Sequence, residues 1–330
     1  MKIVGVNGFG RIGRYFTRMA LESSEINVAL VNDLADVKTL AHLFKYDSVH
    51  RGLKYSFVID GNKLIFENGK EIHFSAHRNP EEIPWSDYGV EIVVESTGIF
   101  RTEEQASKHL VGGAKKVVLS APAKDETTRT VVLGVNDHLL QDSDVIISNA
   151  SCTTNSAAPM VQVLKEICTI ESAFITTVHS YTSDQRLHDA PHSDLRRARA
   201  AAESIVPTTT GAAKALAKIF PDLHGKIGGC GVRVPVPDGS MTDLTLVVKN
   251  PPTEQQINAA MKKASEGSLK NILAYTEDPI VSVDIIGNPN SCIFDAELTS
   301  VIGNMVKVVG WYDNEAGYSN RLVDLIKRIG

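Results

Sequence analysis

Lys2-Ile3-Val4-Gly5-Val6-Asn7 and Asn27-Val28-Ala29-Leu30-Val31-Asn32 are short, nearly continuous apolar runs, the pattern of strands buried on both faces. A helical stretch through Tyr15, Met19 and Leu21 lies between them. The same rhythm returns in Val90 to Glu95, Glu103 to Leu110 and Lys116 to Leu119, read as strand, helix and strand. Strands alternating with helices predict a parallel sheet, and Val145-Ile146-Ile147-Ser148 adds another strand to it. Past residue 150 the extended segments lengthen: Ser172 to His179, Ile227 to Pro235, Thr242 to Lys249, Ser291 to Thr299 and Met305 to Tyr312. These predict an antiparallel-rich sheet, covered by helices over Thr210 to Phe220, capped by Thr209 or Thr210, and over Thr253 to Glu266. Thr253-Glu254-Gln255-Gln256 has the form of a capping box.

Two local motifs add chemistry to this outline. The first strand runs directly into Gly8-Phe9-Gly10-Arg11-Ile12-Gly13, a G-x-G-x-x-G turn opening a helix. Its glycines allow a tight turn and the close approach of a pyrophosphate, which rests on the helix N-terminus. The second strand ends at Asp33, about 20 residues further on, where an acid binds the ribose hydroxyls and repels a 2′-phosphate. The expected cofactor is therefore NAD. The second motif, Ser151-Cys152-Thr153-Thr154-Asn155, fits the first turn of a helix, where amides and the helix dipole favour a thiolate. Taken alone, Cys152 is as readily a buried core cysteine.

Composition narrows the class. With 330 residues and 43% hydrophobic content the chain is long enough for about two domains with substantial cores. No run is long and apolar enough to span a bilayer, and no basic, then apolar, then cleavable leader opens the sequence, so a cytoplasmic protein is expected. A formal net charge of −5 argues against a primary nucleic-acid role, although Leu195-Arg196-Arg197-Ala198-Arg199 is locally basic. Cys152, Cys168, Cys230 and Cys292 are scattered without metal-ligand spacing, so neither a metal site nor a disulfide framework is expected. The polar stretch from Ser180 to Val206 is long for a connection, and long loops of that kind tend to be functional.

Asn7-Gly-Phe-Gly-Arg-Ile-Gly13, Ser151-Cys-Thr-Thr-Asn155, His179-Ser-Tyr-Thr182, Asp194-Leu-Arg-Arg-Ala-Arg199 and Trp311-Tyr-Asp-Asn-Glu315 occur together and in order. With them the chain closely resembles the phosphorylating glyceraldehyde-3-phosphate dehydrogenases, from its first strand to its last helix. The resemblance implies a Rossmann dinucleotide-binding domain over residues 1–150 and 315–330, the final helix at about Tyr318 to Ile329 returning to it. It also implies an α+β catalytic domain over residues 151–314, with a loop at about 180–206 near the centre of a homotetramer. In this reading Cys152 attacks glyceraldehyde 3-phosphate, His179 pairs with it as imidazolium and acts as the base, and inorganic phosphate releases 1,3-bisphosphoglycerate. Besides the glycines, the resemblance gives the cofactor Arg11, Ile12, Asp33, Arg78, Ser120 and Asn314. It gives the substrate phosphate Thr182, Asp184 and Arg233, and the attacking phosphate Ser151, Thr153, Thr210 and Gly211, with Arg197 nearby.

The chain departs from common patterns of that family at Ser156, where many members have a second cysteine, at Ala316, and at Ala190-Pro191. Two alternatives stay open at this point. One is an erythrose-4-phosphate dehydrogenase, against which Thr182 and Thr208-Thr209-Thr210-Gly211 weigh; the other is a non-catalytic nucleotide-binding or RNA-associating protein, since fold alone fixes no function.

Overall fold

The computed structural model describes residues 1–329, which divide into two compact units. The first comprises Met1–Val131, Leu139–Ala150 and the chain from Ser319 onward; the second comprises Val132–His138 and Ser151–Tyr318.

In the first unit the chain runs β1 (Lys2–Asn7), α1 (Arg11–Glu22), β2 (Ile26–Asn32), α2 (Val37–Lys45), β3 (Phe57–Asp60), β4 (Lys63–Phe66) and β5 (Glu71–Ser75). It continues through β6 (Ile92–Glu95), α3 (Glu103–Ala106), α4 (Lys108–Val111), β7 (Lys116–Leu119), β8 (Arg129–Thr130) and β9 (Ile146–Ser148). The sheet order is β3-β4-β5-β2-β1-β6-β7-β9-β8. All pairings from β5 to β8 are parallel, whereas β3, β4 and β5 form an antiparallel extension. Strand order reverses direction at β1 and β6, which makes the carboxyl ends of these two strands the place where such sheets bind ligands.

Burial explains the central strands. Val4, Val6, Leu30, Val31, Val93, Val94, Val117 and Val118 are all fully buried, as β-branched and aliphatic side chains on both faces of a covered parallel sheet should be. Trp85 anchors the core on one side: a Cβ added at Gly5 would stand 2.3 Å from its ring, so the glycine in β1 is what admits the indole. The helix expected over Glu103 to Leu110 is two short pieces, and Thr102 caps the first by accepting the Gln105 N–H. Lys2 reaches the carbonyls of Ile326 and Lys327 at 3.3 and 2.5 Å, satisfying acceptors that the end of the last helix leaves open.

The second unit contains α5 (Cys152–Ile167), β10 (Thr169–Ser180), β11 (Val206–Thr208), α6 (Ala212–Ile219), β12 (Ile227–Val234) and β13 (Ser240–Lys249). It goes on to α7 (Glu254–Glu266), β14 (Leu273–Thr276), β15 (Cys292–Ile302), β16 (Met305–Tyr312) and the start of α8 (Ala316–Ile329). Its sheet has the order β11-β12-β10-β13-β16-β15-β14, mixed and mostly antiparallel; β10 with β12 and β14 with β15 are the parallel pairs. The Thr253 to Gln256 capping box is present as expected. At α6 the cap differs from expectation: Gly211 is the N-cap and gives no side-chain bond, while the Thr210 hydroxyl takes the Ala212 N–H at 3.2 Å.

Candidate active site

In the first unit, β1 turns into α1 through Gly8, whose φ of +93° favours glycine, and a Cβ there would stand 2.8 Å from Thr97 N. Gly13 is equally constrained, 2.2 Å separating an added Cβ from Gly8 O, whereas nothing lies within 4 Å of Gly10. Gly10 is the N-cap of α1 and makes no side-chain cap, so the helix start presents amides beside open space, which suits a pyrophosphate. Asp33 follows β2; its Oδ2 accepts the Phe9 N–H at 2.8 Å and its Oδ1 the Ala35 N–H at 3.0 Å. This fixes the carboxylate beside the glycine turn, where ribose hydroxyls have an acceptor. Ile12 is half-buried in α1, Ser120 directly follows β7 with its N–H on Glu95 O at 2.9 Å, and Arg78 is exposed beyond β5.

Arg11, the first residue of α1, is held in a two-armed pair by Asp47, with contacts of 2.5 and 3.2 Å. Burial alone would raise the Asp47 carboxyl, but the His50 N–H, Arg11 and the Val49 N–H outweigh it and hold the pKa at about 2. Because the folded-state value lies below the usual one, this stabilisation is present above about pH 4 and is lost as pH falls through the interval down to about 2. Asp47→Asn should therefore lower the melting temperature at pH 7, and the difference from wild type should shrink through that interval. A difference that stays constant with pH would contradict this account.

A buried chain of hydrogen bonds that the sequence did not announce braces the same strand ends. Trp85 Nε1 donates to His109 Nδ1 at 3.1 Å, which leaves the His109 proton on Nε2, 2.9 Å from Glu95 Oε2. Glu95 also accepts from Asn7 Nδ2 at 2.6 Å and from the Thr97 N–H at 2.8 Å. Asn32 Nδ2 donates to Asn7 Oδ1 at 2.9 Å, and Asn32 Oδ1 accepts the His77 N–H at 2.8 Å. One buried carboxylate thus ties together the residues preceding Gly8 and Asp33.

In the second unit, Ser151 is the N-cap of α5, accepting the Thr154 N–H at 3.0 Å, and Cys152 is the first helical residue. Ala150, just before the cap, has φ +54°, a conformation that a residue with a Cβ adopts only at a cost. Thr153 makes a 2.9 Å bond to the Tyr312 hydroxyl, which also reaches Thr177 at 2.8 Å. His179, on β10 and 27 residues past the cysteine, brings Nε2 to 3.5 Å from Cys152 Sγ.

The other face of that ring decides its chemistry. His179 Nδ1 lies 2.8 Å from Ser180 O and 2.5 Å from Arg233 Nη1, while Arg233 Nη1 also reaches Ser180 O at 3.0 Å. The two contacts need opposite tautomers. A bond to Ser180 O requires a proton on Nδ1 and leaves the Nε2 lone pair facing sulfur; a guanidinium, always a donor, requires the Nδ1 lone pair and puts the proton on Nε2. The register explains the juxtaposition, because His179 and Arg233 are direct partners in the parallel pair of β10 and β12.

These surroundings act against the charged form of each member of the expected thiolate–imidazolium pair. Burial, and then Arg233, lower the His179 pKa, to about 3. Burial pushes the Cys152 thiol up, opposed by Arg233, the amide and hydroxyl of Thr153 and its own amide. The cation that favours the thiolate is the guanidinium.

The remaining predicted anion ligands lie in the loop between β10 and β11 and in the turn between β11 and α6. Arg197 donates to Thr208 Oγ1 from Nε and Nη2 at 2.9 and 2.6 Å and pairs with Asp184, an exposed carboxylate. Thr182 is half-buried, its carbonyl accepting the Gln185 N–H at 2.9 Å. Gly211 is exposed with open space around it. Asn314 follows β16, and its Oδ1 accepts the hydroxyls of Ser180 at 2.9 Å and Ser240 at 2.7 Å. Ser156 is buried and takes the Thr242 hydroxyl proton at 3.1 Å.

A doubly wound sheet with a glycine turn at its switch point, in one chain with a cysteine set at a helix start beside a histidine, marks an NAD-dependent dehydrogenase. A family model for the NAD-binding domain of glyceraldehyde 3-phosphate dehydrogenase matches residues 2–103, and one for its C-terminal domain matches residues 151–314. Glyceraldehyde-3-phosphate dehydrogenase 2 of Streptomyces avermitilis is 54% identical over 330 residues, which cover 99% of this chain and 98% of that one. The glyceraldehyde-3-phosphate dehydrogenase of Geobacillus stearothermophilus is 56% identical over 324 residues, covering 98% and 96%. Glyceraldehyde-3-phosphate dehydrogenase 1 of Bacillus subtilis is 53% identical with the same coverage. The chain belongs to the glyceraldehyde-3-phosphate dehydrogenase family.

Proposed function

We propose that this chain oxidises glyceraldehyde 3-phosphate with NAD and traps the acyl group with inorganic phosphate, giving 1,3-bisphosphoglycerate and NADH. The observation that carries the reading is the 3.5 Å approach of Cys152 Sγ and His179 Nε2 at the start of α5, in a chain that the family covers end to end.

A neutral imidazole would serve the first step as base. With Nδ1–H on Ser180 O, His179 Nε2 takes the thiol proton as sulfur bonds to the aldehyde carbon and passes that proton to the thiohemiacetal oxygen, returning to the neutral form. His179 then removes that hydroxyl proton as the carbon–hydrogen bond breaks and a thioester forms. NAD, when bound, accepts the hydride. A phosphate oxygen next attacks the thioester carbon, the carbon–sulfur bond breaks, and Cys152 is restored.

Arg233 engages His179 Nδ1 in this structure, and we assign it the substrate's phosphate as its second partner. Turning toward that anion would release Nδ1 to Ser180 O and so expose the Nε2 lone pair when substrate is present. Thr182 accompanies Arg233 in this proposal; Ser151, Thr153, Thr210, Gly211 and Arg197 serve the attacking phosphate, and Asp184 orients Arg197 by pairing with it. For the cofactor, Gly8, Gly10, Arg11, Ile12 and Gly13 take the pyrophosphate side, Asp33 the adenosine ribose, Arg78 the adenine, Ser120 a ribose and Asn314 the carboxamide.

A homotetramer working in the cytoplasm completes the proposal. Supporting the assembly, Leu187, Leu195 and Ile205 expose 72, 81 and 69% of their surface in the 180–206 loop, an apolar display that another copy would cover. Among the described residues no helix is long and apolar enough to cross a membrane.

The test is NADH absorbance on mixing protein, glyceraldehyde 3-phosphate and NAD, with and without phosphate, beside an NADP series. Phosphate-dependent turnover with NAD is expected. Turnover indifferent to phosphate would refute the second anion site, and erythrose 4-phosphate as the better substrate would refute the assignment of the aldehyde.

A further inference from the structure

The Asn314 carboxamide is almost fully buried, yet every described hydrogen bond to it falls on Oδ1. Both donors are serine hydroxyls that are themselves buried, Ser180 at the end of β10 and Ser240 at the start of β13. Ser240 Oγ also accepts the Ser180 N–H at 3.2 Å, which directs its own proton onto Asn314. An amide turned the other way would leave two buried hydroxyl protons without an acceptor, at a cost of about 1–3 kcal/mol each. The turn before Ser240 is equally fixed: Gly239 has φ +85°, and a Cβ there would stand 2.5 Å from Ser282 O.

We infer that Ser180 and Ser240 are positioning residues that lock Asn314 in one orientation and make it a donor-only reader of the nicotinamide carboxamide. With Oδ1 saturated, Nδ2 is the end offered to a ligand, so it recognises the carbonyl oxygen of that group and not its amine. The inference deepens the proposed NAD-dependent reaction and rests on it.

Calorimetric titration of the full-length protein with three ligands tests it. NAD carries the whole carboxamide, 3-acetylpyridine adenine dinucleotide keeps the carbonyl but replaces the amine with methyl, and ADP-ribose lacks the ring. Wild type should bind the first two within about threefold of one another and both more tightly than ADP-ribose. In Ser180→Ala, and more strongly in Ser180→Ala with Ser240→Ala, the advantage of NAD over ADP-ribose should fall about fivefold or more while ADP-ribose affinity holds. Ser180→Ala leaves the Ser240 bond to the Ser180 N–H in place, so it keeps the strand pairing intact.

An unchanged advantage in both variants overturns the clamp, as does an equal loss for all three ligands, which would be general destabilisation. Wild type that rejects the acetylpyridine analogue shows that Asn314 reads the amine and also overturns it. Wild type that binds none of the three overturns the NAD reading itself, and the clamp with it, a result distinct from the others.

Discussion

Cys152→Ala is expected to abolish NADH formation from glyceraldehyde 3-phosphate while leaving NAD affinity and the melting temperature close to wild type. The loss should be on the order of 10⁴-fold or more, about 5 kcal/mol of transition-state stabilisation, because no other group can form the acyl intermediate. Cys168, Cys230 and Cys292 cannot substitute: the pKa of Cys292 is pushed up to about 12 by burial, Cys168 sits at the far end of α5, and Cys230 lies in mid-strand in β12. Removal of the sulfur leaves the cap of α5 untouched, since Ser151 and not Cys152 accepts the Thr154 N–H. Stability should therefore hold, and the variant should still bind NAD through the glycine turn and Asp33. Measured turnover within about tenfold of wild type would remove the cysteine from the mechanism. Loss of NAD binding in the same variant would instead mean that the substitution disturbs more than the reacting sulfur.

What the sequence reveals of this fold is what depends on neighbours in the chain. The β1 strand, the glycine turn and α1 read directly because glycine at φ +93° followed by a helix start is a local requirement, and the Thr253 to Gln256 capping box reads for the same reason. Long strands such as Met305–Tyr312 announce themselves by a period-two tendency, with Val306, Val308, Gly310 and Tyr312 buried and only Val309 buried out of turn. The antiparallel extension β3 to β5 carries no such signal: its strands are four or five residues long, and their partners are one another and the edge of β2. The break at Ser107 between α3 and α4 likewise leaves no signal in an otherwise helical pattern.

At the site the division is sharper. A cysteine at a helix start and a histidine at a strand end can be nominated from motifs, but the charge state of the pair cannot. It depends on Arg233, which lies 54 residues beyond His179 and meets it only through the register of β10 and β12. The Asn314 clamp is assembled from positions 134 and 74 residues away, and the Glu95 brace from positions 14 and 88 residues away, so nothing local marks either. Electrostatics of a buried group belongs to the tertiary structure: burial and a guanidinium neighbour, neither visible in the motif, push His179 toward its neutral form.

Arg233→Leu provides the test of that last point. The guanidinium opposes burial at Cys152 and reinforces it at His179, so its removal should move the two groups in the same direction, both upward. Measured by the pH dependence of Cys152 alkylation in the absence of substrate, the rise in reactivity should shift to higher pH than in wild type. If Arg233 served only as a phosphate ligand, the thiol titration in substrate-free protein would not move. Turnover should fall roughly 10²-fold or more, since on the proposed assignment the variant loses a charge-assisted contact to the substrate anion together with the cation beside the sulfur. The split between parameters separates these effects: loss of the anion contact raises KM for glyceraldehyde 3-phosphate, and loss of the cation lowers the acylation rate at saturating substrate. Arg233→Lys should restore the alkylation profile better than it restores KM, because an ammonium supplies the charge but not the two-armed geometry that an arginine offers a phosphate. A wild-type alkylation profile in Arg233→Leu would return the role of thiolate partner to His179.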